Sequence, residues 1–237
     1  MKGRVLVIGV GGLSCPALRV LARSGVRDVT LVDDDVVDES NLQRQVLFDD
    51  EHVGMSKAEV AAAVLTRSFP GFVATPVVAR FVPENALALI DGHDVVLEGA
   101  DNFATKFLAF DAARIANRPI VQAGAVRWSG WALASAPAPG RGACLRCVFE
   151  DVPGGDADTC AVAGVVGPVV GAVGALEAAL ALRVLHHDDS AFGELFAYDA
   201  AKPRLRRSRP AARPGCASCS GSISDLSRDR YAPSCAA

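Results

Sequence analysis

The sequence has few aromatic residues and almost no net charge. Aromatic residues make up 6% of its 237 residues, and the formal net charge is −3. So small a net charge argues against a protein that binds polyanions in general. A local basic cluster near the C-terminus is interpreted as a solvated face, with an acidic-protein or nucleic-acid contact as the alternative. Its members are Arg204, Arg206, Arg207, Arg209 and Arg213.

Long hydrophobic runs are scarce as well. Residues 159–176 contain no charge, which meets the length of about 18 residues that a membrane-spanning helix needs. The stretch is rich in glycine, including Gly164, Gly167 and Gly174, and weak in Leu, Ile and Phe. It therefore predicts a loop followed by a buried helix with a close-packed face of small residues, and not a membrane span.

What is present begins with a glycine-rich turn after the first strand-like segment. Residues 4–8 are apolar and mostly β-branched, and Gly9, Gly11 and Gly12 lead from them into a helical segment. Glycines permit positive φ angles and a close approach to an anion, and the N–H groups of the following helix point at it. Asp33 ends the next strand, about where dinucleotide-binding folds keep an acid for a ribose hydroxyl. The pattern predicts a nucleotide site.

The N-terminus resembles an export signal only superficially. Lys2 and Arg4 precede an apolar run, and Ser14-Cys15 faintly resembles a lipoprotein cleavage site. Cleavage there would remove the glycine turn, and the predicted role of Asp33 in a nucleotide site requires that turn. We therefore expect a cytoplasmic protein.

Two further positions are candidates for the same site. Ser56 is predicted to cap a helix over residues 57–67, so that Lys57 lies in its first turn. The helix dipole there favours anions, which indicates an anionic ligand near Lys57; a surface lysine is the alternative. Asp101-Asn102 follows a buried strand whose carboxyl end should lie beside the glycine turn. A helix cap is the alternative for this pair, and it does not exclude binding.

Four of the seven cysteines form two Cys-x-x-Cys pairs, Cys144 with Cys147 and Cys216 with Cys219. Structural disulfides are not expected in a cytosolic chain. Four thiolates would suit tetrahedral Zn²⁺. A redox dithiol is the competing interpretation, although neither pair is predicted to open a helix after a strand, as redox motifs do.

The segment after Asp33 is more specific than the turn. An acidic stretch runs from Asp33 through Asp35 to Glu39 and continues as Ser40-Asn41-Leu42-Gln43-Arg44-Gln45. Together with Lys57, Asp101-Asn102 and the cysteine pairs, it resembles the ThiF/MoeB/HesA family, which are bacterial relatives of ubiquitin-activating enzymes. The resemblance covers nearly the whole chain.

The resemblance implies a reaction. Similar enzymes use ATP and Mg²⁺ to adenylate the C-terminal glycine carboxylate of a small ubiquitin-like protein, such as a sulfur carrier ending in Gly-Gly. Cations must neutralise the phosphate oxygens as the carboxylate approaches. The resemblance assigns this role to Arg44 and Lys57, helped by Asn41, and it assigns the ribose to Asp33 and Mg²⁺ to Asp101. The other nucleotide-binding positions that it implies are Gly9, Gly11, Gly12, Asp35, Gln45 and Asn102.

It also bears on the cysteines and on partners. Zn²⁺ becomes the preferred ligand of the cysteine pairs, as a clasp that ties the tail to the sheet. Cys160 matches the position of a cysteine that forms a covalent linkage with the carrier in many relatives, and a helix dipole would stabilise its thiolate. A buried, inert cysteine is the alternative. A homodimer, and a sulfurtransferase as a further partner, are implied by relatives alone.

Three features depart from the family pattern. Ser14 replaces a glycine, Ala100 replaces a small hydroxyl residue, and only Met1-Lys2-Gly3 precedes the first strand. Family members carry an N-terminal helical segment whose arginine reaches the partner's ATP site. We therefore expect that another residue does this work, that the chain is shortened, or that ATP turnover is impaired.

The predicted fold class is α/β: a Rossmann-like, mostly parallel sheet with helices on both faces, an antiparallel C-terminal segment and a zinc clasp. One domain is expected over residues 1–219, with a nucleotide-binding half at 1–124 and an antiparallel, zinc-bearing half at 125–219. Residues 220–237 are expected to form a disordered tail. The rival functions are an NAD-dependent oxidoreductase, a catalytically silent zinc-containing subunit, and a superfamily member that acts on a peptide or tRNA.

Overall fold

An eight-stranded sheet forms the centre of the molecule. In the computed structural model, which describes residues 3–153 and 163–231, the strands are β1 (Arg4–Ile8), β2 (Asp28–Val32), β3 (Val73–Val77), β4 (Val95–Glu98), β5 (Ile120–Val126), β6 (Ser129–Ser135), β7 (Leu195–Asp199) and β8 (Arg204–Ser208). Their order is β3-β2-β1-β4-β5-β6-β7-β8. The pairs from β3 to β5 are parallel and those from β5 to β8 are antiparallel. This confirms the predicted fold class.

Helices cover both faces of the sheet. They are α1 (Ser14–Arg23), α2 (Lys57–Ser68), α3 (Pro83–Ile90), α4 (Phe103–Ile115), α5 (Leu145–Phe149) and α6 (Gly167–Leu185). Residues alternate across β1, so Val5 and Val7 join one hydrophobic cluster with α1, α2 and α6, whereas Leu6 and Ile8 join another with α3, α4 and α5. The sheet is thus buried between two apolar layers, as parallel sheets require.

Two predicted helix starts are confirmed. The Ser56 hydroxyl accepts a hydrogen bond from the Glu59 N–H at 3.4 Å at the start of α2. The Asn102 side chain accepts one from the Thr105 N–H at 2.8 Å at the start of α4. Each cap satisfies an N–H group that the helix itself leaves unpaired. Both helices consequently begin next to the carboxyl ends of the parallel strands.

Helix α6 is apolar and long enough to cross a membrane, but it packs inside the domain. An 18-residue stretch of this helix has a mean hydropathy of 1.7, and 56% of that stretch is buried. Gly174 is required by close packing, because a Cβ there would lie 2.8 Å from Pro16 Cγ of α1. Glu177, one turn further, is completely buried. The predicted buried helix with a small-residue face is confirmed.

The C-terminal segment differs from the expected disordered tail. Residues 220–231 run back to the domain and end in the short 3-10 helix Arg228–Tyr231. Tyr231 is 6% exposed, and its hydroxyl donates to Asp111 Oδ2 of α4 at 3.0 Å. The buried Tyr231 ring and its hydrogen-bonded hydroxyl hold this segment on the domain. The polar composition of the segment did not indicate this contact.

Candidate active site

A groove runs along the carboxyl ends of the parallel strands and continues over the antiparallel half. Its volume is about 1130 Å³. This exceeds the range of roughly 300–1,000 Å³ that is usual for one small-molecule site. The groove brings together every nucleotide-binding position predicted from the sequence: Gly9, Gly11, Gly12, Asp33, Asp35, Asn41, Arg44, Gln45, Lys57, Asp101 and Asn102.

The glycine turn is held by Asp33. Gly9 has a φ of +81°, and a Cβ there would lie 3.1 Å from the backbone of Ala100. The Asp33 carboxylate accepts the Val10 N–H at 2.6 Å and the Asp35 N–H at 2.8 Å. Burial raises the pKa of Asp33, and these two hydrogen bonds oppose the rise. Asp33 therefore fixes the turn relative to the loop after β2.

Ser14 occupies the third glycine position without disturbing the turn. It is completely buried at the start of α1, and its hydroxyl donates to the Gly9 carbonyl at 2.6 Å. Space for it comes from Gly99, since a Cβ on Gly99 would lie 2.7 Å from Ser14 Oγ. This departure from the family pattern is thus compatible with a formed turn.

The Asn41–Gln45 segment forms the wall opposite the turn. It follows the 3-10 helix Glu39–Asn41, which Asp38 caps by accepting the Ser40 N–H at 2.8 Å. Hydrogen bonding to Ser40 lowers the pKa of Asp38. The Arg44 stem crosses Gly12, where a Cβ would lie 3.3 Å from Arg44 Cγ. Gln45 is 3% exposed, and its Oε1 has no partner in the described chain.

Lys57 is not a surface lysine. It is 6% exposed, and its Nζ donates to Asp35 Oδ2 at 2.8 Å. The Lys57 N–H also bonds to the Asp35 carbonyl at 3.0 Å, so the first turn of α2 is fastened to the loop after β2. The position of the ammonium at the groove and at a positive helix end supports the anion-binding interpretation.

Asp101 extends the cluster from the β4 side. Its carboxylate is exposed and lines the groove, while the neighbouring Asn102 caps α4. An exposed carboxylate beside a predicted phosphate site is the kind of ligand with which proteins hold Mg²⁺ together with substrate phosphates. The Asp101 oxygen atoms therefore fit the predicted metal.

Sequence reasoning missed a buried ionic network under the groove. Glu98, at the end of β4, is completely buried, and Lys106 Nζ lies 3.3 Å from both of its oxygens. Gln122 Nε2 donates to Glu98 Oε2 at 2.9 Å, and the Ala100 N–H donates to Oε1 at 2.7 Å. The network ties the Asp101 loop to β5. The available signals were a glutamate that ends an apolar strand and a lysine in an apolar stretch of α4.

Glu177 lies next to this network. Neither of its carboxyl oxygens has a hydrogen-bond partner in the described chain. Burial raises its pKa well above the usual value, repulsion from Glu98 adds to the rise, and Lys106 opposes it. The protonated form of Glu177 is therefore favoured beside the Glu98–Lys106 pair.

The two cysteine pairs converge into one cluster. Sγ–Sγ distances are 3.6 Å for Cys144–Cys147 and for Cys147–Cys219, and 3.8 Å from Cys144 to Cys216 and to Cys219. A tetrahedral zinc with bonds of about 2.3 Å requires about 3.8 Å between sulfurs. The cluster thus fits Zn²⁺. Cys144 precedes the short α5, which a loop separates from strand β6.

A buried ion pair fastens this cluster to α4. Arg146, between Cys144 and Cys147, is 2% exposed and binds Asp111 through Nε at 2.9 Å and Nη2 at 2.7 Å. The Arg146 guanidinium also lies 4.8 Å from the centre of the Phe107 ring. A bidentate pair of this kind fixes orientation as well as position. Nothing in the sequence indicated Asp111 or Arg146.

Cys160 lies outside the described residues. Cys15 is completely buried on α1, and burial raises the pKa of its thiol to about 12. This thiol is inert at neutral pH.

Comparisons with known proteins give close relatives. A SAMP-activating enzyme E1 of Haloferax volcanii is 37% identical over 100% of this chain and 87% of its own length. A molybdopterin-synthase adenylyltransferase of Salmonella typhimurium is 37% identical over 91% of this chain and 86% of its own length. The adenylyltransferase and sulfurtransferase MOCS3 of Xenopus laevis is 37% identical over 92% of this chain, which spans 49% of that relative.

Solved structures agree on the fold. E. coli MccB in its crystal structure with ATP superposes with a TM-score of 0.79 at 21% identity, over 92% of this chain and 67% of that one. At this identity the likeness concerns the fold alone. The model of the ThiF family matches residues 1–219, which include the glycine turn, the groove and the cysteine cluster. The chain belongs to the ThiF family.

Proposed function

We propose that this protein is an adenylyltransferase that uses ATP to activate the C-terminal glycine carboxylate of a small ubiquitin-like carrier protein. The observation that carries the proposal is the groove itself. One end combines the glycine turn, Asp33, Arg44 and Lys57, and the other end is open over the antiparallel strands. Relatives named as activators of SAMP and as molybdopterin-synthase adenylyltransferases support the carrier as substrate.

The arrangement suggests how the chain's residues act. The glycine turn and the first turn of α1 receive phosphate oxygens, Asp33 binds the ribose, and Asn41 and Gln45 line the phosphates. Arg44 and Lys57 neutralise charge as a carrier carboxylate oxygen attacks the α-phosphorus. The bond to pyrophosphate breaks, pyrophosphate leaves with the electron pair, and an acyl-adenylate forms. No proton has to be transferred in this step.

Metal ions have separate roles in the proposal. Asp101, supported by Asn102 at the start of α4, would hold Mg²⁺, which would supply positive charge to stabilise the phosphates. The four clustered cysteines would hold Zn²⁺ for structure. A homodimer, a sulfurtransferase partner, a cytoplasmic location and a covalent role for Cys160 are further proposals that follow from the family.

The rival functions fit the groove less well. An NAD-dependent oxidoreductase would leave Arg44 and Lys57 without a role beside the turn. A silent subunit would not need these cations to line the groove together with Asp33 and Asp101. A peptide or tRNA substrate would appear in the test below as the absence of carrier-dependent exchange.

The test is ATP–pyrophosphate exchange with candidate carrier proteins that end in Gly-Gly. Wild type should exchange in the presence of its carrier, and Lys57→Ala should lower the rate by about 100-fold or more, because it removes a charge that stabilises the transition state. Lys202→Ala is the matched control, since Lys202 is an exposed lysine outside the groove lining. Measurable ATP binding without exchange for any carrier would refute the proposal.

A further inference from the structure

Two groups of arginines near the C-terminus differ in their surroundings. Glu194, which is completely buried, accepts hydrogen bonds from Arg183 at 2.7 Å and from Arg207 at 3.1 Å. Arg209 lies 3.3 Å from the same carboxylate. These guanidinium groups are used within the fold. The basic cluster is therefore not one solvated face.

Arg204 and Arg206 belong to the second group. Both are exposed and line the far end of the groove, and within residues 3–153 and 163–231 neither makes an ion pair. Asp199 lies opposite Arg204 across the hairpin. Its carboxylate, however, accepts the N–H groups of Ala201 at 3.0 Å and Lys202 at 3.3 Å. Arg206 lies opposite Ala197 instead, so its charge is the less balanced of the two.

One face of strands β5 to β8 connects these arginines with the nucleotide end. Trp131, Ala197 and Arg206 are paired across β6, β7 and β8, as are Ser129, Asp199 and Arg204. Directly paired residues share one face of a sheet. The Trp131 indole packs against Gly124 of β5, where a Cβ would lie 2.6 Å from Nε1. Ser129 and Ala197 are exposed, and their short side chains form a floor on which an extended chain has room to lie.

The sheet geometry sets a distance along this floor. Strands lie about 4.8 Å apart, so β8 is roughly 14 Å from β5 and roughly 19 Å from β4. An extended chain advances about 3.3 Å per residue. We propose that Arg206, assisted by Arg204, selects carriers with an acidic residue roughly four to six positions before the C-terminal glycine. This inference rests on the proposed function and adds a specificity determinant to it.

The experiment uses a carrier that supports exchange with wild type, in three forms. The residues four, five and six positions before the last glycine are all Glu, all Ser or all Lys. For wild type, KM for the Glu form should be about five- to tenfold lower than for the Ser form, and Arg206→Glu should remove or invert this preference. KM for ATP should stay unchanged, because Arg206 lies at the opposite end of the groove from the glycine turn. The Lys form should be the best substrate of Arg206→Glu.

The matched control is Arg67→Glu, which makes the same charge change on the exposed surface of α2, outside the groove. Equal KM values of Arg206→Glu and Arg67→Glu for all three forms would overturn the inference, while exchange itself would still support adenylation. Weaker binding of tRNA to Arg206→Glu without any change in carrier KM would also overturn it. If no carrier supports exchange, the Glu and Ser forms of a candidate carrier that ends in Gly-Gly are titrated into wild type by calorimetry. Equal binding of the two forms, or no binding of either, refutes the inference.

Discussion

At the scale of single residues, Ser14 and Gly99 form a matched pair. A serine at this point of the turn is tolerated because the facing residue has no Cβ. The serine hydroxyl in turn satisfies the Gly9 carbonyl at 2.6 Å. Neither residue alone indicates how the turn is accommodated. The compensation depends on the tertiary structure, which brings the end of β4 next to the start of α1.

This pairing predicts a non-additive result. Gly99→Ala should destabilise the fold by about 1–3 kcal/mol, because the added methyl group collides with Ser14 Oγ in a closely packed turn. Ser14→Gly should cost about 1 kcal/mol through helix propensity and the lost hydrogen bond. The double variant should be more stable than the sum of the two effects predicts, as measured by chemical unfolding. Strict additivity would show that the collision does not limit the packing.

At the scale of elements, β4, α4 and α6 carry the buried ionisable groups under the groove. Glu98 and Lys106 form a pair with supporting hydrogen bonds, whereas the Glu177 carboxyl group has no hydrogen-bond partner within residues 3–153 and 163–231. Burial also raises the pKa of Glu98, although Lys106 and the hydrogen bond from Gln122 oppose this. Burial and the neighbouring Glu98 carboxylate favour the protonated form of Glu177, which carries no charge.

The free energy of unfolding should therefore depend on pH through Glu177. Its pKa in the folded protein lies above the value of about 4.3 in the unfolded chain, so its contribution is fully present below that value and is lost as pH rises through the folded pKa. We expect Glu177→Gln to be more stable than wild type at pH 7 to 8, with a difference that shrinks towards pH 4.

Thermal unfolding of wild type and of Glu177→Gln between pH 4 and pH 8 measures the difference in their stability. Carboxylates outside the cluster of Glu98, Lys106 and Glu177 titrate equally in the two proteins and cancel. Leu176→Met is a suitable control for replacement of a neighbouring α6 side chain, since it introduces no titratable group. A pH-independent difference between wild type and Glu177→Gln would contradict the assignment of a raised pKa.

At the scale of the whole molecule, the cysteine cluster connects distant parts of the chain. It joins the start of α5 to residues 216–219, and the adjacent Arg146 and Tyr231 both bind Asp111 of α4. The C-terminal segment consequently packs on the α4 face of the sheet. A metal at this point would stabilise the fold without taking part in the reaction.

We expect purified protein to contain about one Zn²⁺ per chain and Cys219→Ser to lose it. Loss of the ion should lower the melting temperature by about 5 °C or more, since 1 kcal/mol corresponds to about 2–4 °C for a domain of this size. Elemental analysis and calorimetry measure both effects. Cys15→Ala should keep the metal, because α1 lies on the opposite face of the sheet. Metal-free wild type with a Cys144–Cys147 disulfide would instead support the redox interpretation.

Family resemblance supplied Asp35, Asn41, Arg44 and Gln45, whereas the sequence by itself determined the succession of strands and helices in the nucleotide-binding half, the glycine turn, the cap at Ser56, and the placing of Asp33 and Asp101 at carboxyl ends of strands. These features are legible because each depends on local chemistry: apolar runs, glycine conformation, capping side chains, and the carboxyl ends of neighbouring parallel strands. The cysteine pairs were equally legible as a pattern. That they converge was an inference from family resemblance, not from spacing.

Only the tertiary structure decided which partners the buried and basic residues have. Lys57 is buried against Asp35, and Glu98 is paired with Lys106. Arg146 is paired with Asp111. Tyr231 is buried and bonded to Asp111, although the composition of the segment around it predicted disorder. The arginines of the basic cluster likewise have three kinds of surroundings: Arg207 and Arg209 bind Glu194, Arg213 pairs with Glu150, and Arg204 and Arg206 face the groove. Such pairings join residues far apart in the chain, and periodicity and composition carry no information about which distant charge a side chain will meet.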